Sequence, residues 1–182
     1  MNLHDVLNAS ISNNEVLCIY CNTTDTNTFS AGVIQDFDEE FVLINHLTED
    51  GDYDGYMLRR IEDIYLIEAN NKYSLSLREL HMQKEEKHKM IGNGLKSIKE
   101  CLLKFSQKNR LIVSVELCLS GFYDIQGFVT CIDSQFVTVQ VIDNNGKEDG
   151  VAYIESESIT KIVCDSEDER NLEKLYKDSN ER

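Results

Sequence analysis

"GVIQDFDEEFVLI", residues 32–44, and "GFVTCIDSQFVTV", residues 127–139, carry Gly, Asp, Phe and Val at the same internal spacing, 95 positions apart. Carrying that offset outward, Asn14 meets Asn109, Gly51 meets Gly146, and Asp54-Gly55 meets Asp149-Gly150, with no gap. Glu62, Ile64 and Ile67 meet Glu157, Ile159 and Ile162, while Ile34 with Val129 and Ile44 with Val139 keep apolar character. Turn residues and apolar positions matched over a unit of this length mark a duplicated domain. Two copies are too few for a solenoid, so each copy needs its own core. Gly92-Asn93-Gly94 is a helix breaker between the copies, and it sets the domains at 1–91 and 92–182.

The copies predict their own elements. Val16 to Tyr20 and Leu111 to Val115 are apolar, strand-like runs after an Asn that suits a helix end. Phe29 to Phe37 and Ile125 to Ile132 follow as strands, then Phe41 to Leu47 and Phe136 to Ile142. Asp38-Glu39-Glu40 and Asp133-Ser134-Gln135 read as the tight turns between them. Tyr56 to Arg60 with Val151 to Glu155, and Ile64 to Ile67 with Ile159 to Val163, complete five short strands per copy. Such a set suits a bent sheet closed into a small barrel. Leu3, Val6 and Leu7 have helical spacing before the first copy and map onto Ile98, Cys101 and Leu102; Leu95 and Phe105 extend the second pattern. Leu77 and Leu80 map onto Leu172 and Leu175 in a trailing helix, where Ser76 with Glu79 and Ser166 with Glu169 have capping-box spacing.

A leading helix, five short strands and a Gly…Asp-x-x-Phe pattern resemble the Sm-like (LSm) family. Gly32, Asp38 and Phe41 carry its first motif in one copy, and Gly127, Asp133 and Phe136 in the other. Arg60 and Ile64 fit its second motif loosely; Glu155 and Ile159 take those places in the second copy. The resemblance implies a mainly β fold with flanking helices: two tandem five-stranded Sm-like small barrels, each with a leading and a trailing helix. It also implies open edges at strands four and five, which family members pair between subunits to form rings. The family's base-binding Asn is replaced by Val42 and Val137, which offer no hydrogen bond to a base. Glu155 stands where the family has Arg and repels phosphate. The best ligand-facing candidates are Arg60, Arg59 and Tyr56, crowded at one strand end in the copy that keeps the Arg.

Charge points the same way. A net charge of −15 opposes non-specific binding to nucleic acid or anionic membrane. Residues 78–110 hold nine of the 18 Lys and Arg against four acids, so this connector is +5 in a remainder of −20. It reads as a strip that lies against the chain's own acidic barrels or stays solvated, or, less simply, as one that meets an RNA backbone or an acidic partner. No apolar run is long enough to span a bilayer. "MNLHDVLNAS" has neither the basic start nor the apolar core of a signal peptide, so a cytoplasmic chain with six reduced cysteines is expected.

Cys18-x-x-Cys21 has no second pair and no metal is assigned to it. His81 and His88, seven apart, read as two solvated histidines on one helix face. "EDGDYDG", residues 49–55, lacks the ligand order of a calcium loop and reads as a solvated hairpin. No phosphate loop and no nucleophile motif is present, and no cofactor is implied. The sequence therefore points to a non-enzymatic cytoplasmic assembly or regulatory protein. It would bind protein partners or self-assemble through open strand edges. The alternative is an RNA-binding protein using the first barrel and the basic connector.

Overall fold

Asn2 starts the first helix: its side chain accepts from Asp5 N while Asp5 accepts from Asn2 N, so two otherwise unpaired donors are satisfied. The computed structural model describes residues 2–84, 88–91 and 97–180; Gly92-Asn93-Gly94 and Leu95 lie outside them. The chain divides into two units, residues 1–90 and 91–182. The first runs α1 (Leu3–Asn13), β1 (Val16–Tyr20), β2 (Ser30–Phe37), β3 (Phe41–Leu47), β4 (Tyr53–Arg60), β5 (Leu66–Ala69) and α2 (Lys72–Met82). The second runs α3 (Ile98–Asn109), β6 (Ile112–Leu117), β7 (Ile125–Ile132), β8 (Phe136–Ile142), β9 (Glu148–Glu155), β10 (Ile159–Cys164) and α4 (Glu167–Asn180). The fold is mainly β with flanking helices.

The expected closed barrels are not formed. In the first unit the hydrogen-bonded order is β5-β1-β2-β3-β4, and in the second β10-β6-β7-β8-β9; every pairing is antiparallel. Closure needs the first and last strands of the order to pair with each other. Within neither unit do they, so each unit is an open antiparallel sheet. Five short strands with turn residues between them suit either arrangement, because closure depends on strand tilt and stagger, which the apolar pattern does not encode.

Two further details depart from the sequence reading. Strands β4 and β9 begin three residues early, because Gly55 and Gly150, read as loop glycines, sit inside them. Their φ of 74° and 81° accompany a register shift against β3 and β8, the mark of a β-bulge. The gapless alignment also fails over the leading helix and first strand. Asn14 is the left-handed cap of α1, but Arg110, not Asn109, caps α3. Leu17 pairs with Gly32 and Ala69, whereas Val113 pairs with Gly127 and Cys164. Leu7 and Ser10 are therefore matched by Leu103 and Ser106, both buried, each serine donating to the leucine carbonyl three residues back. A gapless alignment puts every residue of β6 on the wrong face, since a one-residue slip inverts a strand. The capping box read at Ser76 does not start α2 either. Asn71 caps it by accepting from Ser74 N.

Each unit builds a core under its trailing helix. Leu77 of α2 packs with Val16, Cys18, Ala31, Val33 and Leu47; Leu172 of α4 packs with Ile112 and Ile142. The repeated turn is explained by its aspartate: Asp38 Oδ1 accepts from Glu40 N and Phe41 N, and Asp133 Oδ1 from Gln135 N and Phe136 N. Those two amides hold the Asp133 carboxyl below its usual range. Gly32 and Gly127 lie where strands cross closely. A Cβ there would meet the Asn45 carbonyl oxygen at 2.3 Å or that of Gln140 at 2.0 Å. Gly32→Ala or Gly127→Ala should each cost about 2–3 kcal/mol in urea unfolding, through overpacking against backbone. Gly121→Ala meets nothing within 4 Å but carries left-handed strain at φ 80°, so its smaller loss of about 1 kcal/mol is the comparison for a glycine replaced without overpacking.

Candidate functional site

The three residues singled out on β4 do not form one open patch. Tyr56 is 1% exposed, and its hydroxyl donates to the Lys89 carbonyl at 2.8 Å. Arg60 donates through Nη1 to Glu62 Oε1 at 3.0 Å, and its guanidinium lies 5.8 Å from the Phe41 ring centre. Arg59 pairs in register with Val42 of β3 and is half-buried. The basic connector lies partly outside the described residues. Within them, Lys84 pairs with Asp52 at 2.7 Å and Lys104 with Glu100, while Arg78 and Lys99 donate to the backbone carbonyls of Asn13 and Ser156. Four of its cations are thus engaged within their own units.

The repeat shows where exposure is out of the ordinary. Phe41, Tyr56 and Leu58 alternate on one face of β3 and β4 and are 0–1% exposed. Their counterparts in the second unit are Phe136 at 41%, Val151 at 49% and Tyr153 at 74%. The reverse holds for the fifth strand. Tyr65 and Leu66 are more than two-fifths exposed, while Thr160, Ile162, Val163 and Cys164 are buried. Val151 and Tyr153 of β9 and Tyr65 and Leu66 at β5 are thus the exposed apolar side chains of the fourth and fifth strands. β5 ends the strand order of the first unit opposite β4, and β9 that of the second opposite β10. Sequence reading flagged both strands as edges, but nothing in the residue pattern told which copy of each would be covered.

Cysteine chemistry is muted. All six thiols are unbridged. Burial, then the nearby Glu68, pushes Cys18 up to about 11, so it stays a protonated thiol at neutral pH. The Glu68 carboxylate also accepts from the Tyr20 hydroxyl at 2.7 Å and pushes that phenol up to about 12. No group of three His, Cys, Asp or Glu able to hold a metal occurs among the described residues.

A polar cluster buried in the second unit was missed. Glu169 of α4, 2% exposed, accepts from Ser114 Oγ at 2.5 Å, from Ser166 N at 3.1 Å and from Ser166 Oγ. Gln126 donates to Ser114 Oγ at 2.9 Å. The capping-box spacing of Ser166 and Glu169 was legible in sequence; the link to Ser114 was not, because the one-residue slip hides it. The cluster ties the start of α4 to β6, and the helix N-terminus favours the carboxylate.

Among the described residues no helix is long and apolar enough to cross a membrane. The chain has no significant match to any family model, curated protein or solved structure. Removing the buried carboxylate strands three donor groups: Glu169→Ala should lower unfolding free energy by about 2–4 kcal/mol in urea titrations. Ser114→Ala, which removes two hydrogen bonds, one donated to Glu169 and one accepted from Gln126, should cost about 1–2 kcal/mol.

Proposed function

We propose that this protein is a non-enzymatic cytoplasmic assembly module that associates with copies of itself, β9 of one chain meeting β5 of the next. The observation that carries this is the apolar exposure of two strand edges: Val151 and Tyr153 on β9, and Tyr65 and Leu66 at β5. A bare strand edge beside apolar side chains is a template for pairing. Because the two bare edges differ, the contact is head-to-tail, and it gives a closed ring or an open filament according to the rotation per copy. The resemblance to Sm-like proteins supports the same pairing, since that family joins subunits through these two strands.

Electrostatics sets the conditions. Glu148, Asp149 and Glu155 lie on β9, and Glu68 lies on β5. Like charges repel across such a contact, within chains that already carry −15. Salt screens the repulsion, with a Debye length of about 8 Å at physiological ionic strength. RNA binding has the opposite sign, because added salt weakens phosphate contacts. The RNA reading has less support, with Arg60 paired to Glu62 and the glutamates Glu155 and Glu157 at the matching place in the second unit.

Sedimentation velocity on the full chain should therefore show mass rising with protein concentration and with salt from low to high. Val151→Glu with Tyr153→Glu, both at exposed positions, should weaken association by tenfold or more while changing unfolding free energy by no more than about 0.5 kcal/mol. A chain that keeps single-copy mass at high concentration and high salt overturns the proposal. Saturable RNA binding that fades with salt would instead favour the alternative.

A further inference from the structure

Three of the four histidines meet at one corner of the first unit. His46 on β3 lies with Nδ1 3.1 Å from Asp54 Oδ2, and His81 on α2 with Nδ1 3.0 Å from the Gly51 carbonyl. Both partners only accept, so both Nδ1 atoms carry the proton. His88 does not continue the helix, which ends at Met82; the sequence reading of two solvated histidines on one helical face is corrected here. Its ring packs edge-on against Tyr53 at 4.3 Å, with His81 at 5.5 Å and Tyr56 at 6.4 Å between ring centres. Neither ring nitrogen of His88 has a hydrogen-bond partner among the described residues, and both are buried. One residue on, the Lys89 carbonyl accepts from Tyr56. A segment is thus held on β4 by a desolvated imidazole and one hydrogen bond.

We propose that His88, with His46 and His81, is a proton-operated latch: uncharged, it holds residues 88–90 on β4, and on acidification its protonation releases them. Among the described residues the groups around it are His46 from β3, Tyr53, Asp54 and Tyr56 from β4, His81 from α2, Lys84 just beyond that helix, and Asp52 from the β3–β4 turn. Asp52 is paired with Lys84 and Asp54 with His46, so among the described residues no carboxylate is placed to receive a proton on His88. Each protonated neighbour adds repulsion. Burial first, then His81 and His46, lowers His88 to about 4 from its ordinary 6.5. The docked ring therefore binds fewer protons than the released one. Docking is at full strength above about pH 6.5 and is lost as pH falls through about 4. At pH 5 the docking constant should be about thirtyfold below its neutral value. The second unit has no such device at the same address. There Tyr176 replaces His81 and donates to Glu148, which replaces Tyr53.

The test uses the full chain. Nuclear magnetic resonance should show the His88 ring titrating more than one pH unit below its ordinary 6.5; His4, which packs on Phe37, lies outside the cluster. Contacts between the His88 and Tyr53 rings should disappear over the same range. Between neutral pH and pH 4 the Tyr53 ring resonances should shift as the His88 ring leaves it. His88→Phe keeps the packing and should abolish the shift, while His4→Phe should leave it unchanged. An ordinary His88 midpoint, unchanged ring contacts at pH 4, or the same shift in His88→Phe overturns the latch. Should His88→Phe fail to fold, the titration and ring contacts of the unaltered chain decide alone. None of these readouts depends on self-association.

Discussion

At Gly32 and Gly127 one strand crosses its neighbour so closely that a single carbon would collide with a backbone carbonyl. The rest of each unit is arranged around that crossing. Two residues after Gly32 the β2–β3 register shifts at Ile34, and two after Gly127 the β7–β8 register shifts at Val129. The aspartate turn then returns the chain, fixed by two amides on one carboxylate oxygen. Close crossing, bulge and turn recur in both copies, so the bend of the sheet is built the same way twice.

The leading helix and first strand are coupled differently in the two copies. α3 is capped by Arg110 rather than by the Asn that matches Asn14. This displaces β6 by one residue relative to the repeat. Ser114 thereby takes the place that Cys18 holds in the first unit, and it reaches Glu169. A one-residue slip thus turns an apolar, thiol-lined position into part of a buried polar network.

Duplication also left matching addresses with divergent chemistry. The corner beneath the trailing helix holds three histidines in one unit and a tyrosine–glutamate hydrogen bond in the other. The face of the third and fourth strands is covered in one unit and bare in the other. The same backbone frame therefore supports a latch at one place and an apolar edge at another.

Short-range chemistry was readable from the residues alone. The repeat, Asp38 and Asp133 as turn formers, the strands Phe41–Leu47 and Phe136–Ile142, and the Ser166–Glu169 cap follow from local spacing and local hydrogen bonding. Three features were decided only by the tertiary structure. Open sheets rather than barrels follow from which strands meet at the ends of the order, a pairing that leaves no mark on apolar periodicity. The slip at β6 is set by where α3 stops: the helix includes the matched Asn109 and is capped one residue beyond it, by Arg110. The burial of Tyr56 and the meeting of His46, His81 and His88 bring together residues from separate elements, and sequence spacing carries no information about contacts made only when the sheet and helices pack.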